Sequence, residues 1–504
     1  MAPLDPLNTQ KLTPFQTFFW PVFPHEKKLA LYLSSILFLI GGANALIYPF
    51  YISFLITSPH SGAEVLGFLR IMGTLPVSIL FIMGYSWLYN KFNKLEIVGV
   101  AYCISTIFYI VYSFFIFPHM KILNVSPETI AQHMSEYPRI KWLFPIFGNW
   151  TISIFYVITD VWLSISISQF FWQTANHLTK TDQACRLYPV FIIFLGLGGI
   201  IFALLLDELI SYASIFNFHT TTDKLIFILQ IVSVVNIVLS FAIVIAFKKT
   251  FAHFSSIIQK VKEKTTPISP PSVFEGFRYL IHSKYIFFIF LTLLSSNIIY
   301  QLINFLWKSE LKTYATMALF YNEFLTNYAL WNGIGIVIFA FGTKNFINKW
   351  GWFPVAFMTP IISLITALPF FILYYVHHLY GEYKFLFNIN PHHLLAIIGA
   401  AQSILMTASF SCLYSPIKEM AYIPLDADMK VKGKVAADVL GNSCGKAGSG
   451  IIQEGLLSWS GGLDLTIIPY LMWLILGFFG TWFYATYALG KKYFKLIELR
   501  KKQR

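Results

Sequence analysis

Apolar and polar positions fall in long blocks along this chain. Runs of roughly 20 apolar residues, enough for a helix to cross a bilayer, occupy 29–55, 66–89, 96–118, 147–174, 187–210 and 224–247. They resume at 284–306, 327–347, 351–376, 391–415, 435–457 and 465–489. The pattern predicts an all-α polytopic membrane protein with twelve transmembrane helices. The eleventh run is weak, and the fourth is long enough to tilt. The widest gap contains IIQKVKEKTTPISPPSVFEGFRYLIHSK, a basic, proline-broken stretch. It reads as a linker, 248–283, between an N-terminal half, 1–247, and a C-terminal half, 284–504. Paired six-helix halves suit a secondary transporter that works by alternating access.

An even number of spans places both termini on one side. Lys91, Lys94, Lys180, Arg186, Lys344, Lys349, Lys430, Lys432, Lys434 and the tail KKYFKLIELRKKQR all fall on that side. By the positive-inside bias it is the cytoplasm. The opposite side carries Lys121, Arg139 and Lys141, offset by Glu128 and Glu136.

Composition agrees. The 504 residues are 57% hydrophobic and 12% charged, with 51 Phe, whereas soluble domains carry about 25% charge. Lipid is therefore the expected solvent. The net charge of +13 is placed as membrane anchors are, so no nucleic-acid partner is expected. Four cysteines lack CxxC spacing, which argues against a metal site or a disulfide scaffold. No metal or cofactor is expected, and neither is a cleavable signal peptide. A catalytic domain has no room to fold. His377 and His378 are adjacent, but neighbours on a helix point apart and no acidic motif joins them.

Charges inside apolar runs are costly, about 2.5–3.5 kcal/mol each on insertion scales, so they should face a cavity or a partner. Asp160 is centred in the fourth run, where Ser153, Tyr156, Asp160, Ser164 and Ser168 make one polar stripe on a helix. It is either a cavity-facing carboxylate or an interhelical bridge. In the eleventh run Asp438, Asn442, Lys446, Gly450 and Glu454 recur every fourth residue, a face that drifts about 40° per step. Arg70, after Glu64, is either a snorkelling interface residue or a functional cation.

The stretch AYIPLDADMKVKGKVAADVLGNSCGKAGSG, 421–450, is among the least apolar in the chain. It is not a P-loop. Gly441 and Gly445-Lys446 are separated by three residues where that loop needs four, and Ala447 supplies no hydroxyl. Lys432 and Lys434 could bind phosphate beside a helix N-terminus, or serve topology and lipid contact.

KEMAYIPLD followed by KVKGKVAADVLGNSCGKAGSG resembles the signature of the bacterial and plastid ATP/ADP translocases. So do HEKKL at 25–29, TSPHSGAE at 57–64, FYVITDVWLS at 155–164, RLYPVF at 186–191 and FLWKSELK at 305–312. The resemblance covers nearly the whole chain. It implies a fold similar to the major facilitator superfamily and a carrier, not an enzyme, for nucleotides. It implies an inner-membrane location in an intracellular bacterium, and a monomer is expected. The family's critical charges correspond to Tyr51, Asp160, Asn304 and Lys434, with Lys446 a further basic position. Where exchangers of ATP and ADP resemble LRDTKD, this chain has IYPFYI, with Tyr48 and Tyr51 in place of the two cations. Asn304 replaces an acid, and Lys308, Asp438 and Arg70 match family positions.

A triphosphate, with nearly four negative charges, calls for several cationic donors. Tyrosines offer stacking and hydrogen bonds instead. The substrate is therefore expected to be a small anionic metabolite such as NAD or a nucleoside phosphate, carried by exchange. Strict ATP/ADP antiport, proton symport of another metabolite through Asp160, and a channel or membrane enzyme remain the alternatives. The expected substrate residues are Tyr48, Tyr51, Arg70, Asp160, Asn304, Lys308, Lys434, Asp438, Asn442 and Lys446.

Overall fold

A computed structural model describes residues 21–89, 91–179, 181–254, 280–380, 390–422, 424–425, 433, 436–460 and 467–502. Among these residues the regular structure is entirely helical. Eleven helices are long and apolar enough to cross a membrane: α1 (Pro24–Thr57), α2 (Val65–Tyr85), α3 (Lys94–Leu123), α4 (Trp150–Leu178), α5 (Arg186–Ala213), α6 (Thr221–His253), α7 (Lys284–Tyr314), α8 (Ala318–Ile347), α9 (Trp352–Leu379), α10 (Pro391–Tyr422) and α12 (Ile468–Leu499).

The expected eleventh span is present as α11 (Gly441–Ser460), but it is not among those eleven. Its glycines and the polar Lys446, Gln453 and Glu454 hold its hydropathy down. Protein rather than lipid shields this polarity: Gln453 and Glu454 are buried, and α11 packs against α7 and α2. α6 continues through His253, into the first residues of the stretch read as a linker. The linker's stretch 255–279 lies outside the described residues.

Several helix starts carry their own stop signals. Asn93 caps α3, and its N–H donates to Glu96 Oε2 at 2.9 Å. Thr220 caps α6 reciprocally: its Oγ1 accepts from the Asp223 N–H at 3.1 Å, and Asp223 Oδ2 accepts from the Thr220 N–H at 3.0 Å. Pro49, Pro189, Pro360 and Pro369 lie inside helices, as membrane helices tolerate when neighbours satisfy the freed backbone. Wider π turns interrupt the regular winding at Arg70–Thr74, Tyr112–Ile116, Ser166–Trp172, Phe410–Tyr414 and Ala436–Leu440. Such turns rotate the following side chains relative to an unbroken helix.

The first six helices meet the last six chiefly in two places, where α5 and α1 pack on α8 and where α2 packs on α11. Both depend on small residues. A Cβ on Gly333 would lie 2.8 Å from the Gly196 carbonyl oxygen, and one on Gly196 would lie 2.8 Å from the Gly333 oxygen. A Cβ on Gly450 would lie 2.7 Å from the Gly67 oxygen. These backbones touch, as glycine-lined membrane helices do. Gly333→Leu should therefore overpack the seam by about 1–3 kcal/mol and lower the melting temperature of detergent-purified protein. Gly84→Leu, which meets open space, should leave the melting temperature near the parent value.

Hydrogen bonds across the seam gather toward the end of the bundle where α1 finishes. There Asn322 Nδ2 donates to Ser53 Oγ at 3.3 Å, Gln453 Nε2 donates to the Glu64 carbonyl at 3.0 Å, and the Phe68 N–H donates to Glu454 Oε1 at 3.1 Å. Lys312 Nζ donates to the Ser61 carbonyl. Burial raises the pKa of Glu64, which lies between spans, and the nearby Lys312 opposes that shift. At the other end Arg186 grips Glu26 at 2.8 Å within the first six helices, and Trp352 stacks on Tyr493 within the last six.

Candidate substrate site

The site is assembled from α1, α2, α4, α7, α8, α10 and α11. Asp160 on α4 and Lys446 on α11 meet at 3.3 Å across the seam. Their side chains are 18% and 26% exposed, so protein does not fully enclose the pair. Lys308 on α7 is buried and lies within electrostatic range of Arg70, Asp160 and Lys446, without a contact ion pair among the described residues. Arg70 on α2 is only 3% exposed, which excludes the snorkelling reading. It opens a π turn, beside the Tyr156 hydroxyl of α4. Its Nη1 has no hydrogen-bond partner among the described residues. If all four groups are ionised, three cations against one anion leave +2. A buried guanidinium nitrogen without an acceptor is costly, and a bound anion would relieve that cost.

An aromatic wall adjoins these charges. Tyr51 packs on Tyr156 with ring centres 5.4 Å apart, on Tyr48 at 5.7 Å, and Tyr48 on Tyr328 at 5.9 Å. Tyr51 also lies within electrostatic range of Asp160. Trp307 closes on Tyr328 at 5.0 Å and donates its indole N–H to the Ala396 carbonyl. Polar groups tie the wall together. The Tyr328 hydroxyl and Ser403 Oγ are 3.0 Å apart, Ser403 donates to Asn304 Oδ1 at 3.3 Å, and Asn304 Nδ2 donates to the Tyr300 carbonyl at 2.8 Å. Asn304 is thus held by neutral partners. The two altered positions on α1 and the altered one on α7 share a lining: Tyr48 and Tyr51 both lie near Tyr300.

Seven of the ten expected residues converge on this region: Tyr48, Tyr51, Arg70, Asp160, Asn304, Lys308 and Lys446. Asp438 does not join them. It pairs with Lys418 at 2.9 Å and accepts from the Tyr422 hydroxyl at 2.9 Å. The π turn Ala436–Leu440 breaks the four-residue spacing that put it in line with Lys446. Asn442 accepts from Asn297 Nδ2 on α7 at 2.8 Å. The polar face of α11 therefore winds around the helix, touching α7, then α4 at Lys446, then α2 at Gly450 and Glu454. Lys434 lies outside the described residues.

On α4, Ser153 donates to the Ile146 carbonyl, while Ser164 is exposed and Ser168 lies inside a π turn. Only Tyr156 and Asp160 of that stripe reach the charged cluster. Tyr300, Tyr328 and Ser403 were missed. Tyr300, Asn304 and Lys308 are spaced by four on α7, a polar face that could have been read. Nothing local marks Tyr328 or Ser403.

The model of the family described as TLC ATP/ADP transporter matches residues 7–493. The chain belongs to that family. It is 30% identical over 502 residues to ADP,ATP carrier protein 1 of Chlamydia pneumoniae, covering 97% of this chain and 96% of the relative. It is 28% identical over 490 residues to ADP,ATP carrier protein 5 of Rickettsia typhi, covering 95% and 96%. Among solved structures, a bacterial homologue of the iron transporter ferroportin in its inward-facing state aligns with a TM-score of 0.53 at 10% identity, over 94% and 99% of the chains. A mutant of the nucleoside transporter NupG aligns at 0.50 with 15% identity, over 92% and 99%. This TLC-family chain is a membrane-embedded secondary transporter, not an enzyme, with a fold of the major facilitator type.

Proposed function

We propose that this TLC-family transporter exchanges nucleotide-derived anions, NAD or nucleoside phosphates, across the inner membrane of an intracellular bacterium, with both termini cytoplasmic. The observation that carries the reading is the meeting of Arg70, Lys308 and Lys446 with one carboxylate beside a tyrosine wall. Phosphate oxygens would take the cations, and a base would stack on Tyr48 or Tyr51. The halves, 1–247 and 284–504, would rock about the site. Asp160 would hold Lys446 when the site is empty and yield it to the substrate.

ATP/ADP exchange is the second reading, favoured by the names of the relatives. A thermal-shift screen of purified protein against ATP, ADP, NAD, UTP, GTP and uncharged nucleosides separates the two, because a specific ligand raises the melting temperature by mass action. NAD or a monophosphate is expected to give the largest shift, with nucleosides inert. A shift confined to ATP and ADP would select the second reading. In proteoliposomes, the same ligand added outside should accelerate release of preloaded label. Release indifferent to every external nucleotide would end the exchange proposal.

A further inference from the structure

A second polar cluster lies where α7 and α9 end and α10 begins, apart from the substrate site. Glu310 of α7 is 3% exposed. One of its oxygens, Oε2, meets His392 Nδ1 of α10 at 2.7 Å, and the other, Oε1, meets His378 Nε2 of α9 at 3.4 Å. His377 completes the group, its ring 4.6 Å from that of His392. The adjacent histidines of α9 are thus joined by an acid after all. It comes from another helix, 67 positions away (377 − 310), beyond the reach of a local motif.

We infer that Glu310, His377 and His392 form a binding site for a divalent metal of the zinc class. One ligand atom from each of the three residues lies within 4.8 Å of the others, so small side-chain shifts bring all three onto one ion. Two imidazoles and a carboxylate, with a water in the fourth position, make a common zinc ligand set, and imidazole suits zinc as it does copper, iron and nickel. A buried carboxylate needs only one cation to balance it. Two further imidazoles packed edge to face beside it would repel one another if both were protonated, whereas a metal uses them neutral.

The surroundings support the same reading. His378 Nδ1 donates to the Tyr374 carbonyl at 2.9 Å, which fixes its ring while Nε2 faces Glu310. With a proton on Nε2 as well, that ring would donate to Glu310 and orient the carboxylate from outside the ligand group. His393, by contrast, stacks on Tyr314 at 4.4 Å and is not one of the ligand group. Bound metal would staple the ends of three helices. Lys312, two residues beyond Glu310, reaches across the seam to Ser61.

The test uses full-length protein purified in detergent and stripped with a chelator. Cobalt(II) serves as the spectroscopic probe and zinc(II) as the competitor. The parent protein is expected to bind about one zinc per chain, to show cobalt ligand-field bands that zinc abolishes, and to melt higher with zinc. His392→Gln and Glu310→Gln should weaken zinc at least about tenfold and His378→Gln about tenfold, while His393→Gln leaves affinity unchanged. The cobalt spectrum is read on the parent protein, so it stands even where a variant misfolds. A parent protein that takes up no zinc at micromolar metal, or whose cobalt spectrum is that of the free aqueous ion, would overturn the site. Undiminished zinc affinity in folded His392→Gln and Glu310→Gln would also overturn it.

Discussion

Arg70→Ala is expected to lower affinity for the transported anion about a hundredfold, roughly 2.7 kcal/mol, while the protein still folds. Truncating one partner of a buried, hydrogen-bonded charge pair costs about 2–5 kcal/mol. Arg70 is buried, and its Nη1 lacks a partner among the described residues. That nitrogen therefore gains an acceptor only when an anion is bound. Arg70→Lys should recover only part of the loss, because a single ammonium cannot reproduce the guanidinium fork. Titration calorimetry with the ligand chosen by the thermal-shift screen measures both variants. Parent-like affinity in folded Arg70→Ala would remove Arg70 from the site. A purely structural Arg70 would instead show as loss of folded protein, visible in the elution profile before any ligand is added.

The second large effect concerns the pair that bridges the halves. Lys446→Ala should slow exchange at least about tenfold, because a cation is lost and Asp160 loses its contact partner beside the incoming anion. The exposed Lys349 serves as the control, and Lys349→Ala should be silent. Adding Asp160→Asn to Lys446→Ala should restore part of the activity, since the repelling carboxylate is then neutral. Contacting residues in such cycles couple by about 0.5–3 kcal/mol. Strictly additive losses in the double variant would mean that the two side chains act independently and that the 3.3 Å contact has no part in the cycle.

How legible the site was depended on where each signal came from. Asp160 and Lys446 stand out in apolar runs because lipid penalises an unshielded charge, whereas Lys308 lies beyond its run and is marked only by the family resemblance. Tyr48 and Tyr51 stood out against the family pattern, and the structure places them on one wall with Tyr156, Tyr300 and Tyr328. Asp438 misled, because spacing by four assumes an unbroken α-helix and the turn at Ala436–Leu440 is wider. Arg70 stood undecided between interface and cavity. Depth within the bundle settles that question, and depth depends on which helices flank α2.

By itself the sequence determined the all-helical membrane character, nearly all of the spans and the class of residue able to meet an anion. Those follow from the cost of bare backbone and charge in hydrocarbon, which acts on every segment separately. The tertiary structure decided which polar residues share a space. It brought α4 to α11, turned Asp438 away toward Lys418, hid Asn304 among neutral partners and gathered Glu310 with three histidines. Helix packing sets those meetings through contacts such as Gly196 with Gly333 and Gly67 with Gly450. A local pattern carries no record of which backbone will lie against which.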